Sequence, residues 1–419
     1  MKGHGSRVTS HESRVTSHAF PAMEYFFATC PRGLERVLAD ELAALSAREV
    51  KPVDGGVAFA GELPLCYAVN LESRVASRVL WRVGEAGYRD EHDVYEAARA
   101  LPWPRWFDVH CSIRVNVTAI RSPLKSLDFA TLRIKDAVCD VFRAARNRRP
   151  GVDTASPDIR IHAFLTRDAA TFYLDTSGEA LFKRGWRIAR GDAPLRENLA
   201  AGILKLTGWS APTPLYDPMC GSGAFLVEAA MMALDIAPGL NRRFGFEKLE
   251  SFDARKWCVL RDRALERRKL PQGLPIFGSD KSGTIVGVAR KNLESAGIES
   301  AVHLKQIDIL DASPPSEAGI MIMNPPYGER LSDREALAMI YPKLGNTLKK
   351  RFAGWTAYIL SADMRLPKLI GLAASRRTPL YNGALECRLF EYRLVAGSLR
   401  RGKSFTAKDA KGPREPKEI

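Results

Sequence analysis

The chain has 419 residues, of which 46% are hydrophobic and 26% charged, and its formal net charge is +15. That length holds two or three domains with full cores, and the composition excludes a chain disordered throughout. No stretch reaches the roughly 18 uninterrupted apolar residues of a membrane span, and the basic excess favours a polyanionic partner.

Residues 1–22 carry Ser-Arg-Val-Thr-Ser-His twice, separated by Glu12, and read as a disordered or artefactual extension without core-forming residues. His4, His11 and His18 match no common metal-ligand spacing. A compact unit is expected over 23–78: a strand at Glu24 to Ala28, then a helix with leucines and valine at 34, 37, 38, 42 and 45. A Gly55-Gly56 turn, a strand at Val57 to Phe59 and a helix at Leu63 to Leu71 follow. This β-α-β-α order suggests a ferredoxin-like unit.

A second module is expected over 79–176, with a helix near Val94 to Arg99, a strand at Ser112 to Ala119 and a helix at Phe129 to Ala145. A hairpin of Ile159 to Leu165 and Ala170 to Leu174 closes it. Its long helix carries Arg133, Lys135, Arg143 and Arg146, which suit either a solvated face or a surface for a polyanion. Residues 177–208 read as a linker and first helix, with Pro194 where that helix could begin.

From 209 to 396 strands and helices alternate, which predicts a mostly parallel, doubly wound α/β sheet. Leu215 to Asp217 is a strand that runs into Pro218, Met219, Cys220, Gly221, Ser222 and Gly223, and a helix follows from Ala224. Such a glycine turn lets backbone pass close to a bound small molecule at a helix N-terminus. Strands at Pro275 to Gly278, Val302 to Gln306 and Gly319 to Met323 end near Asp280, Asp308 and Asn324, where an open α/β sheet binds its ligand. Helices are expected at Thr284 to Ala296 and Leu337 to Lys350, and strands at Ala357 to Leu360 and Cys387 to Leu394. Residues 397–419 read as a disordered basic tail. The seven cysteines are scattered and never spaced as Cys-x-x-Cys, which suits reduced thiols in the cytoplasm and gives no reason to expect a metal.

The Asp-Pro-Met-Cys-Gly-Ser-Gly turn and the Asn324-Pro325-Pro326-Tyr327 loop, in this order, resemble the class I methyltransferases that act on exocyclic amines. The longer wording, from about Met23 to Leu394, is similar to the RNA guanine-N2 methyltransferases that carry a THUMP domain. It is most like the amino-terminal half of a bacterial 23S ribosomal RNA enzyme with two catalytic domains. The resemblance implies a Rossmann-like catalytic domain behind a ferredoxin-like and a THUMP region, S-adenosylmethionine as cofactor and RNA as partner, in a protein expected to be monomeric. It implies a cofactor site of Asp217, Pro218, Cys220, Gly221, Ser222, Gly223, Asp280 and Asp308, and a catalytic loop of Asn324, Pro325, Pro326 and Tyr327. Arg133, Lys135, Arg184 and Arg330 are the implied RNA contacts, and the 182–199 wording is used in relatives to close over the cofactor.

Asp280 and Asp308 could instead cap helices, and the Asn-Pro-Pro loop could be only a rigid turn. Cys220 is a poor candidate nucleophile because it lies in the cofactor turn, and Glu228 reads as a packing or capping residue. Three readings stand at this point: a guanine-N2 methyltransferase on ribosomal or transfer RNA, an adenine-N6 DNA methyltransferase, and a binding protein with an inactive methyltransferase fold.

Overall fold

The computed structural model describes residues 23–188, 195–326 and 331–396, without the side chains of 331–334 and 336–337. The expected extension 1–22, the expected tail 397–419, Pro194, Tyr327 and Arg330 lie outside the described residues.

The first sheet is built from β1 (Glu24–Thr29), β2 (Arg48–Val53), β3 (Gly56–Gly61), β4 (Arg78–Gly87), β5 (Ile113–Ala119), β6 (Ile159–Leu165) and β7 (Ala169–Asp175). Its order is β2-β3-β1-β4-β7-β6-β5, antiparallel except where β5 lies parallel to β6. Packed with it are α1 (Glu35–Ala44), α2 (Leu65–Glu72), α3 (Glu91–Arg99) and α4 (Leu127–Arg146). Phe26 and Phe59 sit in register on β1 and β3 with stacked rings 5.2 Å apart, a cross-strand pair that fixes which face is inside. The Ser126 hydroxyl caps α4 by accepting the Phe129 N–H at 3.1 Å, and Asn147 ends it in the left-handed region.

Two expected modules therefore share one sheet. β4 pairs with β1 on one side and with β7 on the other, across the boundary read at 78/79. Val79, Leu80 and Trp81 are buried in succession, as a strand covered on both faces requires. β2 carries no alternating apolar signal because five of its six residues are exposed, and Pro52 is tolerated on that edge.

The second sheet contains β8 (Leu215–Asp217), β9 (Ile276–Asp280), β10 (His303–Gln306), β11 (Gly319–Met323), β12 (Trp355–Ser361), β13 (Arg376–Asn382) and β14 (Leu385–Arg393). The order is β10-β9-β8-β11-β12-β14-β13, parallel up to β12, with β14 antiparallel to both β12 and β13. The helices are α5 (Glu197–Leu206), α6 (Ala224–Ala233), α7 (Ala254–Glu266), α8 (Gly283–Ser295), α9 (Leu331–Arg351) and α10 (Leu366–Ile370). The mostly parallel, doubly wound sheet expected from the alternation is what forms. α7 escapes periodic reading because only Trp257 and Ala264 along it are fully buried. Among the described residues no helix is long and apolar enough to cross a membrane. Successive strands leave β8 in opposite directions, so the carboxyl ends of β8 and β11 lie side by side at the switch point.

One core runs through both sheets. Gly239 approaches so closely that an added Cβ would lie 2.8 Å from the Leu71 Cα, and its N–H donates to the Leu71 carbonyl at 2.9 Å. Glu228 of α6 is wholly buried and faces two guanidinium groups, Arg184 Nε at 3.3 Å and Arg74 Nη1 at 4.0 Å. Arg74 also donates to the Ile236 carbonyl at 2.7 Å, and Arg184 to the Arg74 carbonyl. The charge cluster thus ties the loop after α2 to the helix behind the glycine turn. Glu228→Ala strands two guanidinium groups without their carboxylate, so a loss of about 3–5 kcal/mol is expected in denaturant unfolding; an unchanged midpoint would contradict this role.

Candidate active site

The glycine turn is shaped by bonds to the neighbouring strand. The Cys220 N–H donates to the Ser279 carbonyl at 2.9 Å, the Gly221 N–H to Asp280 Oδ2 at 3.3 Å, and the Gly223 N–H back to the Cys220 carbonyl at 2.8 Å. Gly221 and Gly223 take φ values of +54° and +84°, a region costly for a side chain, and Gly223 is the N-cap of α6. An added Cβ at Gly221 would meet nothing within 4 Å, which leaves backbone bare beside open space. Asp217 is buried at the end of β8 and accepts the Met219 N–H at 3.2 Å. Burial, reinforced by the Asp280 charge, holds its carboxyl well above the usual carboxylate range.

Asp280 closes β9 and accepts the Ser282 N–H at 3.0 Å through Oδ1, while Asp308, two residues beyond β10, accepts the Leu310 N–H at 2.9 Å. Neither acid caps a helix, the alternative that the sequence leaves open: Ser282 is the N-cap of α8, and each carboxylate closes a short turn instead. They also line a single cleft of about 480 Å³ with Asp217, Pro218, Cys220, Gly221, Ser222, Asn324, Pro325 and Pro326. Gly223, expected in the cofactor site, is not among the lining residues, and an added Cβ there would meet the Ala289 side chain of α8 at 3.4 Å. The apolar walls, among them Phe225, Ile285, Ile309 and Tyr341, have no motif of their own and look like ordinary core positions in the sequence.

Arg133 and Lys135 stand away from the cleft on α4, where they border a separate polar hollow of about 450 Å³ with Arg143 and Arg149. Arg133 lies over the Tyr95 ring at 4.2 Å, and Lys135 pairs with Asp136 at 2.8 Å. Arg184, expected as an RNA contact, is corrected by its surroundings. It is only 4% exposed, and its guanidinium is committed to Glu228, the Leu181 carbonyl and the Arg74 carbonyl, so no phosphate can reach it. Arg187, three residues on, is the arginine that touches the site: it donates to Glu197 Oε1 at 2.7 Å, Ser222 Oγ at 3.0 Å and the Leu195 carbonyl at 2.8 Å. Nothing in the spacing of the basic residues distinguishes the two beforehand.

Three families match in succession: an RlmL ferredoxin-like domain over residues 25–80, a THUMP domain over 88–175, and an RMKL-like methyltransferase domain over 184–391. A Synechocystis protein named as a candidate RNA methyltransferase is 38% identical over 370 residues, covering 88% of this chain and 96% of that protein. The chain belongs to the THUMP-containing, RMKL-like methyltransferase family. The ribosomal RNA large subunit methyltransferase K/L of Aeromonas salmonicida is 39% identical over 397 residues. That match takes in 90% of this chain but 55% of the relative, so the chain spans about half the length of the K/L proteins. A solved structure of a methyltransferase candidate complexed with SAH superimposes with a TM-score of 0.81 at 32% identity, over 90% of this chain and all of that one.

Cys220 is 5% exposed, and burial followed by the Asp217 and Asp280 charges pushes its thiol up, away from the nucleophilic thiolate. With iodoacetamide at pH 8, mass mapping is expected to find the exposed Cys258 alkylated and Cys220 unmodified. Equal labelling of the two would overturn this account of the turn.

Proposed function

We propose that this protein transfers a methyl group from S-adenosylmethionine to the exocyclic N2 amine of a guanine in RNA, with 23S ribosomal RNA as the substrate. The observation that carries the reading is one cleft holding both the glycine turn and the Asn324-Pro325-Pro326 tip. RNA is favoured over DNA by the THUMP match and by the names of the relatives.

The cleft fits the cofactor in size and chemistry. Bare backbone at Gly221 suits the methionine part, the Asp280 carboxylate can accept from ribose hydroxyls, and Asp308 from an adenine amine. The apolar walls of Ile285 and Ile309 suit a nucleoside ring. When bound, S-adenosylmethionine supplies a methyl group on a sulfonium that already carries the leaving group and the driving force. The protein's share is alignment of three atoms and activation of the acceptor.

An aryl amine is a poor nucleophile because its lone pair is delocalised into the ring. Acceptors at the Asn324 side chain and the Pro325 carbonyl, hydrogen-bonded to the amine as it pyramidalises, favour the transition state over the ground state. Tyr327, by its place in the motif, stacks on the base after it has left its neighbours. Arg133, Lys135 and Arg330 are the phosphate contacts in this scheme, and the setting of the reaction is the cytoplasm.

Tritiated methyl transfer to total RNA and to DNA, followed by nucleoside digestion, tests the proposal. N2-methylguanosine in RNA is expected; N6-methyladenine in DNA, or no transfer, would overturn it. Asn324→Ala is expected to bind the cofactor normally and lose turnover by about a hundredfold or more, measured by steady-state kinetics. RNA affinity should fall steeply between low and moderate salt, because each neutralised phosphate releases counterions; a flat response in filter binding would point to a different partner.

A further inference from the structure

The glycine turn has an internal weakness. Gly221 and Gly223 both occupy the left-handed region, and a glycine pair carries little steric restraint of its own. Ser222 between them offers the turn's one polar side chain within that tripeptide, and both of its oxygens are held from outside. Its Oγ accepts from Arg187 Nη1 at 3.0 Å, and its carbonyl accepts from Asn292 Nδ2 at 2.9 Å. Asn292 is completely buried on α8, and its Oδ1 accepts the Ile188 N–H at 3.1 Å. Residues 187 and 188 therefore reach Ser222 twice, once directly and once through Asn292.

Arg187 is itself fixed. Its side chain is 11% exposed, Nε pairs with Glu197 Oε1 at 2.7 Å, and Nη2 donates to the Leu195 carbonyl at 2.8 Å. Ser222 and Leu195 line the cleft, whereas Arg187, Asn292 and Glu197 stand outside it. Three acceptors in three directions call for a planar fork of donors, which an arginine supplies and a lysine does not.

We propose that Arg187 and Asn292 are positioning residues for the methyl donor: they act through Ser222 to hold the Gly221 backbone in its donor-binding shape. The inference rests on the cofactor reading given above. It predicts a loss of donor affinity from changes at side chains that do not touch the donor.

The test is S-adenosylhomocysteine titration by calorimetry on the full chain, with donor kinetics and RNA filter binding alongside. Arg187→Ala is expected to weaken binding by about tenfold or more, the effect of removing a charge-assisted hydrogen-bond network. The KM for the donor should rise by a similar factor, turnover at saturating donor should fall by less, and RNA affinity should stay at the wild-type value. Arg187→Lys is expected to restore only part of the loss. Ser222→Ala should cost less in the Arg187→Ala background than in the wild-type chain, because the contact between the two side chains is already gone. Should Arg187→Ala fold poorly, Glu197→Gln keeps the side-chain size, removes the partner charge and is expected to weaken binding several-fold in the same direction. Wild-type affinity in Arg187→Ala, or losses that add in the double variant, would overturn the inference alone. A wild-type chain that does not bind S-adenosylhomocysteine would overturn the cofactor reading and this inference with it.

Discussion

A carboxylate with no access to water sits at the centre of this molecule. From Ala224 to Met231 every residue of α6 is buried, and Glu228 is the charged one among them. Burial pushes its carboxyl up, and Arg184 and Arg74 pull it down. An isolated charge there would cost several kcal/mol, so the helix is stable in this position only with its two guanidinium partners beside it. One partner comes from the first sheet's unit and the other from the connection between units. The helix that begins at the glycine turn is thereby fixed relative to both.

From that fixed helix the cleft follows by topology. Parallel strands that diverge from β8 open a crevice at their carboxyl ends, and the turn after β8 and the tip after β11 are its two lips. Acidic residues at the ends of β9 and the β10 extension close the third side. The same acids hold their own loops by accepting backbone N–H groups, which does not compete with the ligand contacts proposed for them. A carboxylate oxygen has more than one lone pair, and a rigid loop presents the remaining ones in a set direction.

What was legible in the sequence is what depends on neighbours along the chain. The glycine turn, the strand-end acids and the Asn-Pro-Pro tip are local patterns with local causes, and the alternation of strand and helix predicts their common edge. The ferredoxin-like and THUMP pieces were legible as elements, but their union through β4 was not, since pairing partners on both sides of a strand leave little trace beyond a run of buried residues. Arg184 and Arg187 show the limit most clearly. Both are basic, both lie in one short basic run, and only tertiary packing sends the first to a buried carboxylate and the second to Ser222. α7 and β2 were missed for the opposite reason: so little of either is buried that hydrophobic periodicity never develops.

The shared strand β4 has a mechanical meaning. A sheet with hydrogen-bonded neighbours on both flanks of its middle strand cannot hinge there without breaking main-chain bonds, and this sheet is clamped to α6 by the buried charges. The basic face of α4 and the cleft are thus joined through continuous hydrogen-bonded sheet and buried ion pairs rather than through a free linker. In the scheme proposed above, a substrate engaged at both places has to bridge the separation that this framework sets.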